Sequence, residues 1–227
     1  MITPIGSLLG SAQLAQIRAL LDRADWIDGR SSAGAQALEV KHNRQLPAGS
    51  PLAQQLGDVI LAALSRHPTF ISAALPLRIM PPLFNRYEAG ESYGLHVDNA
   101  VRYPPGSATP LRTDLSATLF LNDPDDYDGG ELEIESSFGA QSIKLAAGDL
   151  ILYPASSQHR VTPVTRGNRT CAVFWLQSMV RDSSKREMLF DLDQSLQSLG
   201  SELGQTHADV MRLSGLYHNL VRQWAET

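Results

Sequence analysis

Asn85-Arg86-Tyr87-Glu88-Ala89-Gly90-Glu91-Ser92-Tyr93-Gly94-Leu95-His96-Val97-Asp98-Asn99 is the stretch from which the rest of the chain reads outward. A strand sends alternate side chains to one face, so the imidazole of His96 and the carboxylate of Asp98 can aim at one spot. Further on, Ser157-Gln158-His159-Arg160-Val161 delivers a second histidine just beyond an apolar strand. Arg169 opens the next apolar run ten residues later. Two histidines and one carboxylate that leave coordination positions open are the facial ligand set of non-haem Fe(II) oxygenases.

The surroundings of these residues read as β structure. From about Leu77 to Gln177, short apolar or alternating runs are separated by Pro, Gly, Asn and Asp, the pattern of an antiparallel β sandwich or barrel. Leu115-Ser116-Ala117-Thr118-Leu119-Phe120-Leu121 carries bulk on both faces and is expected deep in a sheet. Glu131-Leu132-Glu133-Ile134-Glu135 alternates and should have one wet face. The loop between them, Asn122 to Gly130, is dense in turn residues but lacks the ordered acidic spacing and terminal glutamate of a calcium loop. Leu150-Ile151-Leu152-Tyr153 follows the hinge at Ala147-Gly148-Asp149. In Arg169-Thr170-Cys171-Ala172-Val173-Phe174-Trp175-Leu176, alternation puts Arg169 on the face of Cys171, Val173 and Trp175, so its surroundings are otherwise apolar.

Helices flank this core. Leu14, Ile17, Leu20 and Leu21 recur at helical spacing behind a cap at Ser11, and the helix is expected to end before Gly29 and Ser31-Ser32-Ala33-Gly34. A second helix has Ser50 as cap, Pro51 at its first position and Gln54 in a capping box. Both should pack on the outside of a sheet. Past residue 180, Ser184 and Glu187 suggest another capping box before a stripe of Met188, Leu189, Leu192, Leu196 and Leu199. A last helix carries Val210, Leu213, Tyr217, Leu220, Val221 and Trp224 on one side. The expected organisation is an N-terminal helical or mixed segment at 1–76, a core at 77–178 and a helical subdomain at 179–227. The stripes of the tail either close onto their own core or bridge two copies in a homo-oligomer.

Composition narrows the function classes. The 227 residues suffice for a full core, with a formal charge of -5 and a pI near 5.6. No Lys/Arg-rich tract is present, which disfavours nucleic acid as a partner. No window approaches the roughly 18 apolar residues of a membrane span, and Met1 to Gly6 has no signal-peptide character, so the expected location is the cytoplasm. The single cysteine, Cys171, fits a reducing compartment and reads as a small buried hydrophobe.

Three ligands on one face of Fe(II) leave room for a chelating 2-oxo acid and dioxygen. Arg169 suits the distal carboxylate of 2-oxoglutarate, because its planar fork makes two parallel charge-assisted bonds and keeps its charge. Either Tyr87 or Tyr93 could add a hydrogen bond to that co-substrate. His42, His67, His207 and His218 read as surface or satisfied structural residues. The stretch from Asn99 to Arg112, directly after two ligands, is equally a lid over substrate or a plain surface loop.

The conjunction of Asn85-Arg86-Tyr87 with Gly90, Tyr93-Gly94-Leu95-His96-Val97-Asp98-Asn99-Ala100, Leu119-Phe120-Leu121-Asn122, Gly129-Gly130-Glu131-Leu132, Gly148-Asp149-Leu150, Tyr153-Pro154, Ser157 to Val161 and Arg169 resembles the PKHD-type hydroxylases. These form a bacterial branch of the Fe(II)/2-oxoglutarate dioxygenase superfamily, related to prolyl and lysyl hydroxylases. The resemblance covers essentially the whole chain. It implies a mainly β fold with flanking helices, its core a distorted double-stranded β-helix or jelly roll. It implies iron on His96, Asp98 and His159, 2-oxoglutarate on Arg169, L-ascorbate as an accessory reductant, and a small-molecule or peptidyl substrate hydroxylated with dioxygen. A context in iron uptake is also implied. Against a halogenase stands Asp98, which occupies the position a halide would need. Against a non-enzymatic cupin-like module stands Arg169, since a metal store has no evident need for a carboxylate clamp. A third rival is a scaffold whose tail matters most and whose histidines are structural.

Overall fold

The computed structural model describes residues 1–32, 39–136 and 139–227. Its larger sheet runs, edge to edge, through Thr3–Ile5, Leu150–Pro154, Leu115–Phe120, Arg169–Ser178, Leu83–Tyr87, Arg44–Gln45 and Ile27–Asp28, with Pro76–Ile79 paired to the far end of 169–178. The smaller sheet runs Gly139–Ile143, Leu132–Ser136, His159–Val161, Ser92–His96 and Lys41–His42. Pairings throughout are antiparallel. From Leu83 on, the chain crosses repeatedly between the sheets: Leu83–Tyr87 lies in the larger, Ser92–His96 in the smaller, Leu115–Phe120 in the larger, Leu132–Ser136 with Gly139–Ile143 in the smaller, Leu150–Pro154 in the larger, His159–Val161 in the smaller and Arg169–Ser178 in the larger, which is the jelly-roll arrangement.

Period-two alternation divides the core into two. Leu115, Ala117 and Leu119, Leu150 and Leu152, and Ala172, Phe174 and Leu176 face outward from the larger sheet and are buried under helices. The intervening Phe120, Ile151, Tyr153 and Cys171 face inward and meet Leu132, Ile134 and Val161 of the smaller sheet. All six residues of Leu115–Phe120 are buried, as bulk on both faces requires. Each large apolar side chain so buried contributes roughly 1.5–3 kcal/mol. In 132–136 only Leu132 and Ile134 are buried, leaving the glutamates on a wetter face.

The outer face is roofed by α1 (Ser11–Leu21), α2 (Pro51–Leu64) and the short α3 (Pro68–Ala74). The start signals of the helices are shifted from those read in the sequence. Gly10 occupies the cap of α1 and Ser11 is its first helical residue. Ser50 does cap α2, accepting the Ala53 N–H at 3.2 Å. Gln54 lies one residue too late for the box and donates to the Gly49 carbonyl at 3.0 Å instead. Of the Ser31-Ser32-Ala33-Gly34 run, Ala33 and Gly34 lie outside the described residues, and α1 has already ended at Leu21.

The tail forms α4 (Ser183–Leu203) and α5 (Ala208–Trp224). Asp182 caps α4 through the Ser184 and Lys185 N–H groups, so the Ser184–Glu187 box is not formed: the carboxylate two residues earlier takes the donors first. Leu189 packs with Leu75, Val180, Tyr217, Leu220, Val221 and Trp224, whereas Met188 stays exposed. Asn99 to Arg112 folds as a two-stranded ribbon, Val101–Arg102 against Leu111–Arg112. Its base is fastened by the Thr113 hydroxyl donating to the Asn99 carbonyl at 2.6 Å.

Candidate metal centre

His96 ends the strand Ser92–His96, and the strand His159–Val161 places His159 directly opposite it in register. Their ring centroids are 4.2 Å apart. Asp98 follows two residues on, with Oδ2 3.8 Å from His159 Nε2. One ligand atom from each of the three lies within 4.8 Å of the others, and no second such cluster occurs among the described residues. Both imidazoles are held alike: Nδ1 of His96 is 2.9 Å from the Gly94 carbonyl oxygen, and Nδ1 of His159 is 3.0 Å from that of Ser157. A carbonyl only accepts, so each Nδ1 carries the proton and each Nε2 keeps its lone pair for a metal. Burial, and then the neighbouring His159, lowers the His96 pKa to about 4, so its ring is neutral at pH 7.

Asp98 is positioned from the other sheet. The Ser116 hydroxyl donates to Asp98 Oδ2 at 2.6 Å. Tyr93 stacks on the His96 ring, centroids 3.7 Å apart and planes within 16°. In an unbroken strand residues 93 and 96 would face opposite ways. Here the pairing with 159–161 slips between them, and this bulge turns both rings to the same side. Burial, followed by the Asp98 charge, pushes the Tyr93 phenol up to about 12, so it remains a neutral hydroxyl.

The trio opens into a cavity between the two sheets, lined by residues of both. Arg169 lies at its wall and is 1% exposed. Its Nη1 donates to Cys171 Sγ at 2.9 Å, and its guanidinium carbon lies 5.3 Å from the Tyr87 ring centroid and 5.4 Å from that of Phe120. Its Nε is buried without an acceptor, and no ion pair reaches it among the described residues. A buried guanidinium with no anion costs several kcal/mol. The phenol of Tyr87, facing Arg169 across the strand pair, is pushed up by burial. Gly130 has φ +66°, and a Cβ there would come within 3.0 Å of Arg169 Cδ, so the turn from Tyr127 to Gly130 can close on the arginine only with glycine in place.

All six residues singled out in the sequence, His96, Asp98, His159, Arg169, Tyr87 and Tyr93, line this one cavity. Others join them. Ser116, Thr118 and Tyr153 reach it by the inward parity of their strands, a signal present in the alternation around Phe120 and Ile151. Lys41 and Arg102 also line it, from two-residue strands with no periodicity to read. Burial, and next the charge of Arg102, lowers the Lys41 pKa to about 8.

Comparison with known proteins gives the same outline. The profile of the 2OG-Fe(II) oxygenase superfamily matches residues 82–177, and that of the PKHD-type hydroxylase C-terminal domain matches 183–226. A PKHD-type hydroxylase of Herminiimonas arsenicoxydans is 59% identical over 97% of this chain and 98% of its own. Another, from Burkholderia cenocepacia, is 57% identical over the full length of both. Among solved structures, a prolyl hydroxylase from Trichoplax adhaerens, in complex with a hypoxia inducible factor peptide fragment, superposes with a TM-score of 0.55 at 16% identity. It covers 83% of this chain and 86% of that one. HygX from Streptomyces hygroscopicus, bound to nickel, 2-oxoglutarate and hygromycin B, superposes at 0.51 with 18% identity, covering 76% and 81%. At such identities these two speak for the fold alone.

Proposed function

The chain belongs to the PKHD-type hydroxylases of the 2OG-Fe(II) oxygenase superfamily, and from that premise we propose that His96, Asp98 and His159 hold its Fe(II) and that Arg169 receives the distal carboxylate of 2-oxoglutarate. The observation that carries this reading is the convergence, in one cavity, of two imidazoles and a carboxylate with a buried guanidinium that meets no anion among the described residues. The donor set suits Fe(II) with positions left open, and the guanidinium suits a dicarboxylate. When bound, the pair supplies oxidative decarboxylation of 2-oxoglutarate coupled to hydroxylation of a substrate C–H bond.

The chain's own residues bind and orient. Gly94 and Ser157 fix the imidazole tautomers, and Ser116 holds one Asp98 oxygen so that the carboxylate presents a defined edge. Of the two tyrosines, Tyr87 is assigned to the distal end of 2-oxoglutarate, because it stands beside Arg169. Tyr93 is assigned to the metal end, where it braces His96. Phe120, Ile151 and Val161 make the surroundings apolar and exclude water. L-ascorbate is proposed as the reductant that restores over-oxidised iron, a role the family resemblance suggests. The reading places the enzyme in the cytoplasm, with buried, unbridged Cys171 as support, and keeps iron uptake as its context on the resemblance alone.

The test is anaerobic titration of the Fe(II)-loaded protein with 2-oxoglutarate, following the weak visible charge-transfer band of a chelated oxo-acid complex. Wild type should show the band. Arg169→Ala should retain iron but bind 2-oxoglutarate about a hundred-fold more weakly or worse, the cost of two charge-assisted hydrogen bonds. Normal affinity in that variant would sink the Arg169 assignment, and no band in iron-loaded wild type would sink the reading as a whole.

A further inference from the structure

Arg169 is aimed along the cavity wall by a sulfur. Arg169 and Cys171 stand two residues apart on one strand and therefore on one face of it. Arg169 Nη1 donates to Cys171 Sγ at 2.9 Å, so the long side chain leans along its own strand toward Cys171. That direction leads to the metal end. Beyond Cys171 the same face carries Val173 and Trp175, both lining the cavity, and Trp175 pairs in register with Ser116, whose hydroxyl holds Asp98. The rings of Tyr87 and Phe120 flank the guanidinium, 5.3 and 5.4 Å from its central carbon, but a ring face fixes no direction within the guanidinium plane. The sulfur does.

A guanidinium can grip a carboxylate with two parallel bonds through its Nη1–Nη2 end or through its Nε–Nη2 side. Cys171 engages Nη1, and Nε is the nitrogen buried without an acceptor. The edge left waiting is the Nε–Nη2 side. Resting on the iron and 2-oxoglutarate reading given above, we propose that Cys171 is a positioning residue for Arg169: its sulfur draws the guanidinium toward the metal and turns the Nε–Nη2 side to the distal carboxylate, setting the span that 2-oxoglutarate bridges. A thiol suits this task because sulfur is a weak acceptor, which orients the cation without neutralising it. A carboxylate in its place would answer the charge that the co-substrate must meet. Cys171 is fully buried, so bulk water does not compete for Nη1. The arginine is thus ordered before binding, and less of its rotamer freedom is lost on capture.

The experiment is anaerobic titration of the Fe(II)-loaded protein with three 2-oxo acids, following the charge-transfer band. All three present the same chelating end, but 2-oxobutyrate has no distal carboxylate and 2-oxoadipate carries it one methylene further out. C171A, and C171V, which refills the volume without an acceptor, should each bind 2-oxoglutarate about three- to ten-fold more weakly, the worth of one hydrogen bond. Their affinity for 2-oxobutyrate should be unchanged, and 2-oxoadipate should lose less than 2-oxoglutarate. C171S, whose hydroxyl still accepts from Nη1, should recover most of the loss. In R169A the further change C171A should add nothing, since the sulfur acts only through the arginine. The proposal is overturned if C171A and C171V bind 2-oxoglutarate normally, or if 2-oxobutyrate weakens equally, the mark of a packing defect. It is also overturned if C171S loses as much as C171A, if 2-oxoadipate loses as much as 2-oxoglutarate, or if C171A costs its full factor in R169A. Absence of the band in wild type, or wild type holding 2-oxobutyrate as tightly as 2-oxoglutarate, would refute the underlying iron and 2-oxoglutarate reading, a separate outcome.

Discussion

Ser116 does for Asp98 what two backbone carbonyls do for the histidines, and at 2.6 Å its hydrogen bond is short enough to fix the carboxylate before a metal arrives. Removing such a support costs about ten- to a hundred-fold in metal affinity. Ser116→Ala should therefore weaken Fe(II) binding by that factor with the fold retained, as measured by anaerobic metal titration beside far-UV circular dichroism; unchanged affinity would make Ser116 mere packing. His159→Ala should go further and abolish iron binding at modest structural cost, because its Nε2 faces the cavity rather than the apolar core. Cys171 shows where residue-level reading stops: it is buried, as a small hydrophobe should be, yet its sulfur also accepts from Arg169 at 2.9 Å. The alternation in Arg169–Leu176 placed both on one face, but nothing in it said that they would touch.

At the scale of elements, the turn at Gly129-Gly130 decides how Tyr127 meets Arg169. Gly129 has φ +71°, and a Cβ there would run into the carbonyl oxygen of Pro163, just before the paired strand Val164–Arg166. Gly129→Ala should cost at least about 2 kcal/mol, since left-handed strain adds to a clash with backbone. Chemical denaturation would show it, and a midpoint like that of wild type would mean that the turn can relax. The cap of α4 responds to pH. Hydrogen bonds from the Lys185 and Ser184 N–H groups, the former first, hold the Asp182 carboxyl below its ordinary range. Its contribution is thus present above the unfolded value of about 3.9 and fades as pH falls through the lowered folded value. Asp182→Ala should melt below wild type at neutral pH, and the gap should narrow as pH is taken below about 4. A gap independent of pH would exclude the charged cap.

For the whole molecule, the two sheets are joined at the cavity by His96 and Asp98 on one side and Ser116, Tyr153 and Arg169 on the other. A bound metal and dicarboxylate should tie these together. At a hundred times their dissociation constants, ligands that bind only the folded state add about 2.7 kcal/mol. That corresponds to a rise in melting temperature of roughly 5–10 °C for a chain of this size. Anaerobic melting with Fe(II) and 2-oxoglutarate, against the same protein with a chelator, measures it, and coincident curves would place the ligands elsewhere. The ribbon at the cavity mouth is also tied to the tail, since Arg112 Nη1 lies 3.2 Å from Glu226 Oε2. The sequence by itself determined the two layers and their faces, because strand alternation and helical spacing follow from local backbone geometry and from which side chains water rejects. It also determined the family and singled out six residues that line one cavity, because their types and order along the strands are local facts. Only the tertiary structure decided that His159 stands opposite His96, that a bulge turns Tyr93 onto the same side, and that Ser116, Lys41 and Arg102 enter the cavity. These depend on pairing register between strands far apart in the chain, and register is fixed by the fit of the assembled core, which no single segment contains.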